Sequence, residues 1–139
     1  MLKILIAEDD RELRQLFSHV LNRYGYTVVG VSNGQEALDA MDTDFYDMII
    51  SDIMMPVMDG YELVRQLRDV GNTTPVLMIT AKDAFDDMRL GFQSGVDDYM
   101  VKPINVNEMV LRVQALLRRA QMINDRKQTI GDTVMECDS

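Results

Sequence analysis

The stretch Tyr46-Asp47-Met48-Ile49-Ile50-Ser51-Asp52-Ile53-Met54-Met55-Pro56-Val57-Met58-Asp59-Gly60 decides how the rest of the chain is read. Its apolar run, Met48-Ile49-Ile50, is short and ends in a turn signal at Pro56, the pattern of a fully buried strand. The run delivers one carboxylate, Asp52, to the strand's C-terminal tip. An isolated Asp in that place is an ordinary turn former or the partner of a lysine, or else it is used chemically. The choice rests on what stands at the other strand ends.

Towards the N-terminus, Leu2 to Ala7 is apolar apart from Lys3 and stops at Glu8-Asp9-Asp10, a buried strand followed by an acidic loop. Asp10 caps a helix whose apolar stripe is Leu13, Leu16, Phe17, Val20, Leu21 and Tyr24, closed by Gly25. Tyr26 to Val31 is β-branched and reads as a strand. Asn33 caps a second helix with Ala37, Leu38 and Met41 facing inward. Beyond Asp52, Asp59 and Glu62 have capping-box spacing ahead of Leu63, Val64 and Leu67, and Gly71-Asn72 breaks that third helix. Pro75 to Thr80 is a buried strand. Asp83 to Ser94 is a weaker fourth helix, and Tyr99-Met100-Val101 a fifth strand ending at Lys102-Pro103. Asn105 caps the last helix, with Val106, Met109, Val110, Val113, Leu116 and Leu117 as its stripe.

Five strands alternating with five helices predict an α/β domain with a parallel sheet, its helices on both faces through right-handed crossovers. Residues 1–120 form this domain. The pattern fails after Arg119: Gln121 to Gln128 suits a linker or fraying helix end, and Thr129 to Cys137 looks like the first strand of a second domain, so 121–139 reads as a linker and the start of a missing C-terminal domain.

The 139 residues are 47% hydrophobic, enough for one core. With 14 basic and 23 acidic residues the net charge is -9, which argues against this chain gripping a phosphate backbone by itself. The one cysteine, Cys137, rules out an internal disulfide and fits a reducing, cytoplasmic setting. The apolar opening Ile4 to Ala7 is far too short for a signal peptide or a membrane span.

In a parallel sheet of this kind ligands sit beyond the carboxyl ends of the strands. Those ends carry Glu8 and Asp9, Asp52, Thr80 and Lys102. Singly, each has an ordinary explanation as helix cap, turn residue or solvated lysine. Together they converge on one edge. Three carboxylates need a cation or a proton between them. An all-oxygen cluster suits Mg²⁺, which often shares its coordination with a phosphate. A carboxylate beside such an ion can attack phosphorus to form an acyl phosphate, with Lys102 and Thr80 taking other phosphoryl oxygens.

Glu8-Asp9 after the first strand, Asp52 followed by Met-Met-Pro and Asp-Gly, Thr80-Ala81 and Lys102-Pro103 together resemble a response-regulator receiver domain of two-component systems, from about Lys3 to Arg119. The resemblance implies a flavodoxin-like, doubly wound sheet of order 2-1-3-4-5. It implies that Asp52 takes a phosphoryl group from a sensor histidine kinase. Asp9, Asp52 and the Met54 backbone carbonyl would ligate Mg²⁺ (Mn²⁺ can substitute), with Glu8 acting through water. Lys102 would pair with the phosphoryl group, across a cis Lys102-Pro103 bond. On phosphorylation Thr80 would move towards the new charge and Tyr99 turn inward, rearranging the face of the fourth helix, fifth strand and fifth helix. Such a chain catalyses only its own phosphorylation and dephosphorylation.

Asp97-Asp98-Tyr99, Arg112 and Arg118-Arg119 further resemble the OmpR/PhoB-type transcription factors, and Thr129 to Cys137 resembles the start of their winged-helix DNA-binding domain. That likeness implies a phosphorylation-dependent homodimer with Asp98 to Arg112 across the two-fold and Asp97 to Arg118 or Arg119. Where the family has a basic partner for Glu108, this chain has Met88. DNA would be contacted only through the missing domain. The positions that tune acyl-phosphate lifetime would be Met54 and Lys82, and Met54 offers no polar group to a hydrolytic water. Two alternatives compete. A Mg²⁺-dependent aspartyl-phosphate phosphohydrolase would need a second acid at position 54, which is Met. A pseudo-receiver that takes no phosphate is opposed by the complete set of acceptor, acids, Thr and Lys.

Overall fold

The computed structural model describes residues 2–81 and 95–131, with side chains as far as Met122. The elements run β1 (Lys3–Ala7), α1 (Arg11–Arg23), β2 (Thr27–Val31), α2 (Gly34–Thr43), β3 (Met48–Asp52), α3 (Gly60–Asp69), β4 (Val76–Thr80), β5 (Asp98–Val101) and a C-terminal helix (Val106–Gly131). The expected helix Asp83–Ser94, with Lys82 and Met88, lies outside the described residues, as does 132–139.

All four strand pairings are parallel, and the order is β2-β1-β3-β4-β5, as expected. Side-chain alternation along each strand feeds two cores. Ile4, Ile6, Met48, Ile50, Leu77 and Ile79 pack against Phe17 and Leu21 of α1 and Met109 and Val113 of the C-terminal helix. Leu5, Ile49, Val76, Met78 and Tyr99 pack against Ala37 of α2 and Leu63 and Val64 of α3. Both faces are thus covered, which is why the central strands read as continuous apolar runs.

Helix ends follow side-chain chemistry. The Asp10 carboxylate accepts from the amides of Glu12 and Leu13, and Gly25, at φ 92, takes the left-handed position after α1. Asp59 accepts from the Glu62 amide, but the Glu62 carboxylate pairs with Arg65 instead of returning to the cap, so the expected capping box is half made. At α2 Asn33 caps Glu36, and the Glu36 carboxylate accepts from the amide and hydroxyl of Ser32.

The C-terminal helix corrects the reading after Arg119. It continues to Gly131, so Gln121–Gln128 is helical and Thr129–Gly131 is helix rather than the start of a strand. Gln, Met, Arg and Lys are good helix formers, and they carry the helix on where amphipathic periodicity no longer marks it.

Candidate functional site

β3 carries Asp52 to the carboxyl edge of the sheet, paired in register with Ile79, one residue before Thr80. α3 starts directly behind it. A Cβ on Gly60 would lie 2.4 Å from the Asp52 carbonyl oxygen, so no larger residue fits there. The intervening loop turns sharply, with Val57 at φ 70.

Glu8, Asp9 and Asp52 each present a carboxylate oxygen, and these oxygens lie within 4.8 Å of one another. Glu8 and Asp52 are buried, at 1% and 6% exposure, while Asp9 is exposed. The Lys102 ammonium stands 2.8 Å from Asp52 Oδ2 and 3.7 Å from Glu8 Oε1. Burial weakens its charged form, but hydrogen bonding and attraction from Asp52, with Glu8 and Asp9 adding, outweigh that and raise its pKa. Glu8 Oε2 accepts from the Asp10 amide at 3.1 Å, whereas Oε1 is buried with no hydrogen-bond partner. Burial, reinforced by the neighbouring Asp52 charge, pushes the Glu8 carboxyl up to about 7.

These features fit a divalent cation. One ammonium stands against three carboxylates, and an orphaned buried carboxylate oxygen among them is a donor waiting for a partner. The donor set is all oxygen, the chemistry of Mg²⁺ rather than of a softer metal.

The other expected residues fall as follows. Thr80 is buried at the end of β4, its hydroxyl 3.4 Å from the Ala81 carbonyl. The Lys102-Pro103 peptide is cis. Met54 lies past the strand end with its side chain 74% exposed. Tyr99 is inward, 5% exposed, and its hydroxyl donates to that of Tyr61 at 3.3 Å. Asp98 is paired with Arg112 within the same chain, and Arg112 also with Glu108. Asp97 sits at the opposite edge of the sheet, where its Oδ2 accepts from the Val76 amide at 2.8 Å and from Arg68 at 3.2 Å. Arg118 and Arg119 are exposed, and Arg119 lines the same cleft as Asp97.

Three contributors were missed in the sequence. Arg14 donates to the Glu8 carbonyl at 2.6 Å. Tyr61 is the hydroxyl partner of Tyr99. Arg68 donates to the carbonyls of Gly95 and Asn72, fixing the turn before β5. Arg14 could have been found, because it shares helical spacing with the buried Phe17 and Leu21, where a charged residue needs a reason.

A parallel five-stranded sheet of order β2-β1-β3-β4-β5, with an acidic pocket and a lysine at its carboxyl edge, is the architecture of a receiver domain. Residues 4–114 match the response regulator receiver domain, and the chain belongs to that family. It is similar to the transcriptional regulatory protein CiaR of Streptococcus pneumoniae, 39% identical over 135 residues, covering 97% of this chain and 60% of that protein. The alkaline phosphatase synthesis transcriptional regulatory protein PhoP of Bacillus subtilis is 42% identical over 120 residues, 86% of this chain and 50% of that one. This chain therefore spans about half to three fifths of the length of these relatives. Among solved structures, the receiver domain of the Francisella response regulator 1452 superposes with a TM-score of 0.82 at 35% identity, over 86% of this chain and 99% of that one. The chemotaxis response regulator CheY4 of Vibrio cholerae gives 0.78 at 35% identity, over 84% and 98%. Among the described residues no helix is long and apolar enough to cross a membrane.

Proposed function

We propose that Asp52 is the phospho-acceptor of this receiver. The observation that carries the reading is a buried carboxylate bonded to Lys102 at 2.8 Å, with two further carboxylates beside it. One Asp52 oxygen forms the new bond to phosphorus while the bond from phosphorus to the donor's imidazole nitrogen breaks and the imidazole leaves. The donor is the phosphohistidine of a sensor kinase; with a small acyl phosphate in vitro the bond from phosphorus to the acyl oxygen breaks and a carboxylate leaves instead.

Asp9, Asp52 and the Met54 carbonyl would hold Mg²⁺, with Glu8 contributing through water. When bound, the ion supplies charge neutralisation for the phosphoryl oxygens. The chain's own groups do the rest. Lys102 gives its ammonium from Asp52 to a phosphoryl oxygen, and the Thr80 hydroxyl turns from its long contact with Ala81 to another. The product adds roughly 1.5 to 2 negative charges at neutral pH, which is what Thr80 and then Tyr99 respond to.

The readout is a homodimer through the face that includes β5 and the C-terminal helix, with Asp98, Arg112 and Glu108 as its charged groups. Asp97 is tied to Val76 and Arg68, so it serves that face less than Asp98 does. Two relatives are named as transcriptional regulatory proteins, and in a longer chain the output here is transcription through a C-terminal DNA-binding domain. The test is intact mass after incubation with Mg²⁺ and acetyl phosphate. A gain of one phosphoryl group, absent in Asp52→Asn and blocked by chelation, is expected. No gain on a folded protein sinks the reading.

A further inference from the structure

Arg14 takes no direct part in the chemistry above, yet it is tied to the acidic pocket through Glu8 and seated on the neighbouring strand at Gly30. Its Nη1 donates to the carbonyl oxygen of Glu8 at 2.6 Å. Its aliphatic stem lies across Gly30 of β2, and a Cβ built there would come within 3.0 Å of Arg14 Cγ and Cδ. The glycine leaves room for the stem, and the stem aims the guanidinium.

The Glu8 carbonyl belongs to the peptide that joins Glu8 to Asp9. The peptides on either side of it are held separately, by the Glu8 amide on the Val31 carbonyl at 3.0 Å and by the Asp10 amide on the Glu8 side chain. Arg14 adds the third tie. With all three made, the Glu8–Asp9 peptide plane is set, and with it the direction in which exposed Asp9 leaves the chain towards Asp52. A pocket whose carboxylate oxygens must lie within one ion's reach depends on that plane.

We infer that Arg14, seated on Gly30, is a positioning residue of the acidic pocket that sets the Glu8–Asp9 peptide and so the pocket's affinity for a divalent cation. The inference rests on the reading of this pocket as a Mg²⁺ site. Groups that orient metal ligands are commonly worth tenfold or more in affinity.

The sign of the effect separates positioning from simple charge. Removing a cation near a cation site strengthens binding by relieving Coulomb repulsion, whereas losing a ligand's orientation weakens it. Mg²⁺ binding is measured by titration calorimetry at about pH 8, well above the ordinary carboxylate range, alongside melting without Mg²⁺. Arg14→Met keeps the stem and loses donor and charge. It should bind Mg²⁺ about tenfold more weakly, while its melting without Mg²⁺ stays close to the parent's. Gly30→Ala keeps donor and charge but crowds the stem, and should weaken binding in the same direction. Parent-like or tighter binding by Arg14→Met overturns the inference, as does weaker binding accompanied by an equally marked loss of melting temperature without Mg²⁺, which marks a general structural role. If Arg14→Met does not fold, Gly30→Ala decides on the same criterion. A parent chain that binds no Mg²⁺ overturns the Mg²⁺ reading, and the inference with it. A parent that binds, with Arg14→Met equal to it, overturns the inference alone.

Discussion

Arg112 Nη1 lies 3.0 Å and 2.9 Å from the two carboxylate oxygens of Asp98 in the same chain, linking the C-terminal helix to the first residue of β5. The proposed dimer uses these groups between chains, so the pair must be exchanged rather than newly made. An exchange of one half-exposed ion pair for another yields little net energy, and exposed pairs contribute up to about 1 kcal/mol. Arg112→Ala should therefore change monomer stability by less than about 1 kcal/mol and weaken the phosphorylated dimer several-fold in sedimentation. An unchanged dimer would remove Arg112 from the interface.

Glu8 makes the cation-free protein sensitive to pH. Its carboxyl rises from an ordinary 4.5 to about 7 in the fold, chiefly through burial. The folded state thus holds the proton more tightly than the unfolded chain. The sign follows: the contribution to stability is full below 4.5, is lost as pH rises from there through about 7, and is flat above. Melting without Mg²⁺ should fall over that window. Glu8→Gln should flatten the slope and melt higher than the parent at alkaline pH. A parent curve that rises with pH there would contradict this.

Tyr61 bears on the switch. Tyr99 is packed inward with its hydroxyl on that of Tyr61, which joins β5 to the first turn of α3. Tyr61→Phe keeps the ring and removes one hydroxyl, a loss of about 1 kcal/mol for an ordinary hydrogen bond. In protein labelled with 3-fluorotyrosine, the Tyr99 resonance should shift towards its solvent-exposed position in Tyr61→Phe. A Tyr99 signal identical to the parent's would show that the Tyr61 hydroxyl does not hold it.

How legible was this in the sequence? The convergence of Glu8, Asp9, Asp52, Thr80 and Lys102 was, because parallel strands of similar length bring their carboxyl ends to one edge, whereas the strand order came only with the family resemblance. What was not legible depends on contacts between elements. Tyr61 follows Gly60 like any helix residue, and nothing local says that Tyr99 lies above it. Arg68 and Asp97 are 29 residues apart and meet only once β4 and β5 pair. Asp98 and Arg112 were recognised as a pair across a two-fold; in the single chain they already pair with each other, because the C-terminal helix packs beside its own strand. The length of the C-terminal helix was left open between a linker and a fraying helix end, because the apolar periodicity of the sequence fails after Arg119 and periodicity marks only an amphipathic stretch.

Val57 holds a stability reserve. It is β-branched, 81% exposed, and sits at φ 70. In that region a β-branched residue is strained, at a cost on the order of 1–3 kcal/mol. Its side chain buries little, so removing it forfeits almost no packing. Val57→Asn or Val57→Gly should raise the melting temperature by a few degrees, Asn tolerating this region better than other non-glycine residues. A lower melting temperature in both would mean that the valine methyls make contacts worth more than the strain.

Met54 should set the lifetime of the phosphorylated state. It lies two residues past Asp52 with its side chain 74% exposed, at the rim of the pocket. A thioether is at best a weak acceptor, so it cannot orient a water for attack on phosphorus as a carboxylate or amide could. Hydrolysis of the acyl phosphate then depends on unassisted water beside Lys102 and the acidic groups. The expected lifetime is minutes to hours, followed by intact mass after removal of acetyl phosphate with Mg²⁺ retained. Met54→Glu or Met54→Asn should shorten it by supplying a polar group at the rim, at no cost to the core because the side chain is outside it. A parent half-life below a minute would show that another group already positions the water.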